Sequence, residues 1–365
     1  MRPRPTSNPP NPWLSESVEW LGEPPRVLPQ VYADATREIL SRNDSPDVPF
    51  TWSVNPYRGC AHACAYCYAR PTHEYLGFGA GTDFDTRIVA KLRAPALLRR
   101  AFERRSWKGE VIAFSGATDP YQPLEASLRL TRGCLEVCAE YRNPVAVVTK
   151  APLVERDAGL LGGLAALGAA SVTITLPFLD EARARAMEPG AAAPSRRLRT
   201  VERLARWGIP VGVNVAPVIP GLNDEEIPRV LEAARGAGAT RATWQLLRLP
   251  GSVKAVFEER LRATLPDRAN RVLHRIRETR DGALDDARFG VRGRGQGPHA
   301  ASIAALFQAT ARQLGLAGPS PACGPPRAEA SGDPAGPEAT GARPAAPGGS
   351  ATPFRRPREQ LALLP

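Results

Sequence analysis

Through the middle of the chain, short apolar β-branched runs alternate with longer amphipathic segments. The runs over 51–57, 111–115, 145–149, 171–176, 211–217 and 242–246 predict strands, and helical periodicity near 94–105, 127–141, 153–167, 196–207 and 224–237 predicts the helices between them. Gly208, before Pro210, reads as the stop of the fourth helix, and Asn223-Asp224 as the cap of the fifth. Strands that each feed a helix through short connections predict parallel pairing and right-handed crossovers. The expected fold class is α/β, a partial (β/α)6 TIM-like barrel over 51–250 with a helical C-terminal addition over 251–316. Chemistry in such barrels gathers at the C-terminal ends of the strands.

The pattern fades at both ends. Residues 1–50 form a Pro-rich N-terminal extension with little apolar periodicity. Residues 317–365 turn to Pro, Ala, Gly and Ser, which cannot bury enough surface to offset ordering entropy, so a disordered tail is expected there. A short apolar stretch, Leu361 to Leu364, closes it.

Charge adds a partner class. The net charge is +11, yet residues 1–50 carry five Arg against seven acids and residues 317–365 five against four, so the basic excess lies in the body. A basic body suits a nucleic acid, although only four lysines occur and the Arg, Ala, Pro and Gly richness equally suits a GC-rich coding bias. No apolar run has the length of a signal peptide or of the ~20-residue membrane span, so no membrane association and a cytoplasmic location are expected. Six cysteines, three of them within eight residues, point in a reducing compartment to metal rather than to disulfides.

Those three, Cys60, Cys64 and Cys67, have the spacing C-x3-C-x2-C just past the first strand. Thiolates suit zinc or iron–sulfur clusters, and on spacing alone a three-thiolate cluster with one open iron stands level with a zinc site completed by His62 or His73. A zinc- or metal-stabilised, non-catalytic nucleic-acid-binding module is therefore the alternative reading. Tyr66 and Tyr68, between and after the thiols, favour a ligand-binding loop.

The motif, with an aromatic residue before its third cysteine, resembles the radical S-adenosylmethionine superfamily, and within it the spore photoproduct lyase-like branch. The likeness rests on NPYRGCAHACAYCYARPTHEYLG (55–77), SGATDPYQPLE (115–125), VVTKAPLVERD (147–157) and PVIPGLNDEEI (217–227), each at a predicted strand end. It implies a 4Fe–4S cluster on Cys60, Cys64 and Cys67, S-adenosyl-L-methionine as cofactor, its reductive cleavage to a 5′-deoxyadenosyl radical, and an electron donor such as flavodoxin or ferredoxin. It also implies roles for single residues. Ser115, Thr118 and Asp119 would hold the methionine ammonium, though Thr118 and Asp119 also read as a helix cap. Lys150 would pair with the carboxylate and Thr175 would serve the ribose. Tyr66 and the Pro217–Gly221 segment would line the adenine, and Arg196, Arg197 and more weakly Asn214 would complete the pocket.

One departure stands out. Photoproduct lyases carry a hydrogen-donating cysteine two residues before the position of Thr118, and here that residue is Gly116. Their tyrosine after the third cluster cysteine is present as Tyr68, the one catalytic candidate. The resemblance thus implies a lyase-like enzyme with an undefined substrate. Cys134 and Cys138, four apart on a predicted helix, read as buried core cysteines, and Cys323 falls in the tail. Glu125, Glu155 and Asp157 suggest no acid–base pair.

Overall fold

The computed structural model describes residues 7–13, 29–316 and 352–357. Six strands run parallel in one open sheet, in the order β10-β9-β8-β7-β6-β3: β3 (Trp52–Val54), β6 (Ile112–Phe114), β7 (Val145–Thr149), β8 (Ala170–Thr175), β9 (Val211–Val218) and β10 (Arg241–Leu246). These are the six predicted strands, and the chain is the expected partial barrel. Buried Val, Ile and Leu from every strand interlock with the inner faces of the helices to form one continuous core, as sheets covered by crossover helices require.

Helix ends follow local chemistry. Helix Pro194–Arg206 stops at Gly208, whose φ of +72° lets its N–H reach Ala205 O and the next N–H reach Leu204 O. That Schellman closure needs a residue tolerant of the left-handed region. The next cap differs from expectation. Asn223 caps no helix, because its side chain accepts from Ile219 N (2.6 Å) and donates to Pro177 O and Pro217 O. It braces the loop after β9, and helix Ile227–Gly236 starts later, behind a 3-10 turn.

Four short strands lie outside the predicted pattern. β2 (Leu40–Arg42) pairs antiparallel to β3. β1 (Gln30–Ala33), β5 (Arg87–Ala90) and β4 (Tyr57–Arg58) form a separate three-stranded sheet beside the cysteine loop. The "helical addition" divides in two. Helices Val253–Thr264 and Pro266–Glu278 build a second apolar cluster with Cys64, Tyr66, Phe178 and Leu249, behind the cysteine loop. Helix Gly297–Gln313 instead packs Ile303, Phe307 and Ala311 into the main core, as the sixth barrel helix.

Part of the presumed disordered tail is ordered. Residues 352–357 dock beside helix Ala94–Glu103, where Phe354 meets Phe102 edge-on and stacks on Tyr141. Arg356 donates to the carbonyls of Phe102, Arg104 and Trp107, supplying acceptors at a helix C-terminus with a cation. Gly109 makes the room, since a Cβ there would meet Phe354 Cβ at 2.2 Å. The rest of the tail, with Cys323 and Leu361–Leu364, lies outside the described residues, as do 1–6 and 14–28 of the extension. Among the described residues no helix is long and apolar enough to cross a membrane.

Candidate active site

The loop after β3 winds as consecutive tight turns, Ala63 N to Cys60 O, Cys67 N to Cys64 O and Arg70 N to Cys67 O. Three anchors hold it. Gln122, wholly buried, donates to Gly59 O (3.0 Å) and accepts from Ala61 N (3.2 Å). Arg70, also buried, spends its whole guanidinium on Cys64 O, Ala80 O, Gly81 O and Asp85 Oδ1 at 2.8–3.0 Å. From the other side, Met187 O receives Ala65 N, and Gly190 N donates to His62 O. Close approach demands glycine at Gly59, where φ is +77° and a Cβ would lie 2.8 Å from His73 Cε1.

The three cysteines face a cavity of about 200 Å³ at the C-terminal mouth of the sheet. Of the expected residues, Tyr66, Tyr68, Ser115, Thr118, Asp119, Lys150, Thr175, Asn214 and Pro217 also line it. Strand ends β6, β7, β8 and β9 therefore converge on one space, as the barrel geometry dictates. Asp119 is already engaged. It accepts from Thr149 Oγ1 (2.6 Å), Lys150 N (2.7 Å) and Tyr121 N (2.9 Å), and His62 Nδ1 lies 3.4 Å away. Burial pushes its carboxyl up, but His62 and these donors outweigh burial and hold it at about 2.

A buried network missed in the sequence reading lies beneath Tyr66. Glu188, with no exposed side-chain surface, accepts from Tyr66 Oη and Arg197, and Lys150 Nζ lies 3.7 Å from it. Burial raises the Glu188 carboxyl, yet Arg197, Lys150 and Tyr66 bring it below the usual range. Two cations share one carboxylate here, leaving one positive charge beside the cavity. Arg197 therefore supports the pocket from behind, through Thr175 O, Ala192 O and Glu188. Arg196 departs from expectation: it does not line the cavity but binds Glu155 and Thr200 on the outer face of its helix. A helix turn of about 100° separates neighbours, so two adjacent arginines cannot both face one pocket.

Glu125 is structural, bonded to Tyr57 Oη, Thr131 N and Arg156, and Asp157 shares Arg156 with it. Cys134 and Cys138 lie in the main core.

The donor set is one of buried or partly buried thiols. Burial pushes the Cys64 thiol up to about 12, and burial likewise raises Cys60 and Cys67, each with help from neighbouring thiols or carboxylates. Such thiols ionise together only around a cationic group. His73 is unavailable, its Nε2 2.8 Å from Arg87 O and its ring packed on Phe78 and Phe84. Cys60, Cys64 and Cys67 thus face one cavity that His62 also lines, and a set of three soft thiolates would suit an iron–sulfur cluster with one iron left open.

Comparison with known proteins agrees with that chemistry. A family model described as the radical SAM superfamily matches residues 54–234. An uncharacterized Mycobacterium tuberculosis protein is 41% identical over 212 residues, 58% of this chain and 62% of that protein. An uncharacterized Methanocaldococcus jannaschii protein is 28% identical over 173 residues, 47% of this chain and 62% of that one. The chain thus spans less than two thirds of the length of these relatives. Among solved structures, a spore photoproduct lyase variant superposes with TM-score 0.54 at 18% identity over 78% of each chain. Another, with bound AdoMet and dinucleoside spore photoproduct, gives 0.53 at 17% over the same shares. At such identities the likeness is one of fold.

Proposed function

Since the chain belongs, through residues 54–234, to the radical SAM superfamily, we propose that it is an enzyme that holds a 4Fe–4S cluster on Cys60, Cys64 and Cys67 and reductively cleaves S-adenosylmethionine. The observation that carries the reading is the meeting of three thiols, two buried and one partly so, with Asp119, Lys150 and Thr175 in one cavity. When bound, cluster and cofactor would supply one-electron radical chemistry that these side chains cannot perform themselves.

The chain's own groups bind and orient. Lys150, whose Nζ sits between Glu188 and the Tyr66 ring (3.7 and 5.8 Å), offers its positive charge to the methionine carboxylate. Asp119 draws on four neighbours, so it sets the strand-end backbone and adds negative charge beside the ammonium rather than acting as a free acceptor. Thr175 Oγ1 and the carbonyls near Ser115 supply neutral hydrogen-bonding groups. Tyr66, pinned through Glu188, gives a rigid aromatic wall. A low-potential donor such as flavodoxin or ferredoxin supplies the electron, and the basic body suits a nucleic acid as partner.

The test is anaerobic reconstitution followed by iron analysis and assay of 5′-deoxyadenosine with dithionite. About four irons per chain, an absorbance shoulder near 400 nm as iron–sulfur proteins generally show, and loss of both iron and cleavage in Cys64→Ala are expected. Stoichiometric zinc without iron would refute the reading.

A further inference from the structure

At the end of β10 the side chains alternate. Leu247 and Leu249 turn inward to the second apolar cluster, and Arg248 between them turns to the cavity. The backbone beneath it is pinned. Leu247 N donates to Val218 O, Arg280 donates to Leu247 O (2.6 Å), and Leu249 N donates to Asp285 Oδ1 (3.0 Å). These bonds fix where the Arg248 side chain leaves the main chain.

Its guanidinium lies 5.8 Å from the centroid of the Tyr68 ring. Nε is buried without a hydrogen-bond partner, and no carboxylate comes within ion-pair distance among the described residues. The nearby acids are already used, Asp47 by Gly290 N and Arg292, and Asp285 by Leu249 N. The other charges lining the cavity, Asp119 and Lys150, have partners as well. Arg248 is partly buried, its Nε wholly so and unpaired, and the planar fork it presents to the cavity matches the two oxygens of a carboxylate or phosphate.

Its position separates it from the cofactor's groups. Lys150 follows β7, whereas Arg248 follows β10, three strands further along the sheet. At that open side the cysteine loop, through Tyr68, meets the last strand. Gln245, also from β10, lines the same side.

Building on the radical SAM reading, we propose that Arg248, with Gln245 and the half-exposed Tyr68 ring beside it, is an oxyanion subsite that grips a carboxylate or phosphate group of the substrate and so sets which part of it faces the cluster loop. The methionine carboxylate of the cofactor has Lys150, so the anion at Arg248 belongs to a second molecule.

Full-length, anaerobically purified protein is titrated calorimetrically with inorganic phosphate and, separately, acetate into the millimolar range. S-Adenosylmethionine affinity, iron content and 5′-deoxyadenosine formation are measured on the same preparations. Wild type should bind at least one of the two anions. Arg248→Gln should bind it at least tenfold more weakly, Arg248→Lys should recover part of the loss, and cofactor affinity should stay within twofold. Matching circular dichroism and melting temperature of Arg248→Gln and wild type guard against a folding defect, and Arg248→Lys is the fallback variant. The subsite is refuted if wild type binds neither anion, or if Arg248→Gln binds it as wild type does. It is equally refuted if Arg248→Gln weakens S-adenosylmethionine tenfold, because Arg248 then serves the cofactor. A zinc-loaded, iron-free chain that binds the anion through Arg248 would retain the subsite while removing the radical chemistry. Normal iron and cleavage without anion binding would do the reverse.

Discussion

Replacing Arg70 with methionine keeps the volume of the side chain and removes all five of its donors. Those donors satisfy the carbonyls of Cys64, Ala80 and Gly81 and one oxygen of Asp85, at 2.8–3.0 Å, with both partners largely out of solvent. Burial already lifts the Asp85 carboxyl to about 6 in the presence of Arg70. Without the guanidinium it takes up a proton at neutral pH, which limits the penalty to that of a neutral buried acid and the bonds lost at three carbonyls, of which Cys64 O keeps Cys67 N. Breaking a buried pair from one side costs about 3–5 kcal/mol, and protonation of Asp85 puts the expected value at the lower end, ~3 kcal/mol. A domain of this size commonly has ~5–15 kcal/mol in hand, so the barrel should stay folded while the segment 60–85 loosens. Far-UV circular dichroism should be unchanged, urea denaturation should report the loss, and iron bound after anaerobic reconstitution should fall below half of wild type although every cysteine remains. Arg70→Lys should sit between the two, since an ammonium cannot reach all four acceptors. Wild-type iron content with a stability loss under ~1 kcal/mol would refute the assignment of Arg70 as the loop's anchor.

Lys150→Ala should retain the cluster and weaken S-adenosylmethionine binding by about 1.5–3 kcal/mol; unchanged affinity would remove Lys150 from the cofactor site. Asp119 is held at about 2 against 3.8 for a free aspartate, so its contribution, on the order of 2 kcal/mol, is complete above pH 3.8 and lost as pH falls through 2. Asp119→Asn should therefore flatten the acid limb of a stability–pH profile measured on iron-free chain, and an unaltered slope would count against the pairing. Phe354→Ala removes a half-buried ring from Phe102 and Tyr141 and should cost about 1–2 kcal/mol, read as a lower melting temperature; no change would mean that residues 352–357 do not dock. The chain should not repair spore photoproduct with multiple turnovers, because no thiol occupies position 116; efficient repair of the dinucleotide photoproduct would overturn that expectation.

The barrel was legible because its strands are β-branched runs bounded by helices of clear period, a signal that depends on local sequence alone. β1, β2, β4 and β5 were not, because each has only two to four residues and pairs at long range. The three clustered cysteines announced themselves by spacing. Their anchors did not: Gln122, Arg70 and Glu188 are ordinary residues whose importance comes from burial, and burial of a polar group is a tertiary fact. A faint signal existed for Arg70 and Gln122, which fall inside two of the four segments that carry the family likeness. Arg248 lies outside all four such segments. The docked residues 352–357 were hidden by their surroundings, since one Phe and two Arg in a Pro-Ala-Gly stretch give no periodicity.

The conformation at Gly116 says more about the reaction than the missing thiol does. A Cβ there would meet only the Asn55 side chain, at 3.8–4.0 Å, so crowding does not exclude a larger residue. The backbone does, with φ at +113°, where L side chains are strained. This turn sends Ala117 N to Asn55 Oδ1 (2.9 Å) and Thr118 Oγ1 to Tyr57 O, tying the end of β6 to the strand and loop that carry the cysteines. Cysteine at 116 would therefore have to remake those ties as well as fill the space. The difference from the photoproduct lyase pattern is thus a property of the whole strand-end turn, and the volume it leaves open lies in the cavity that Arg248 also faces. The open turn at Gly116 and the Arg248 side chain therefore border one and the same space at the mouth of the sheet.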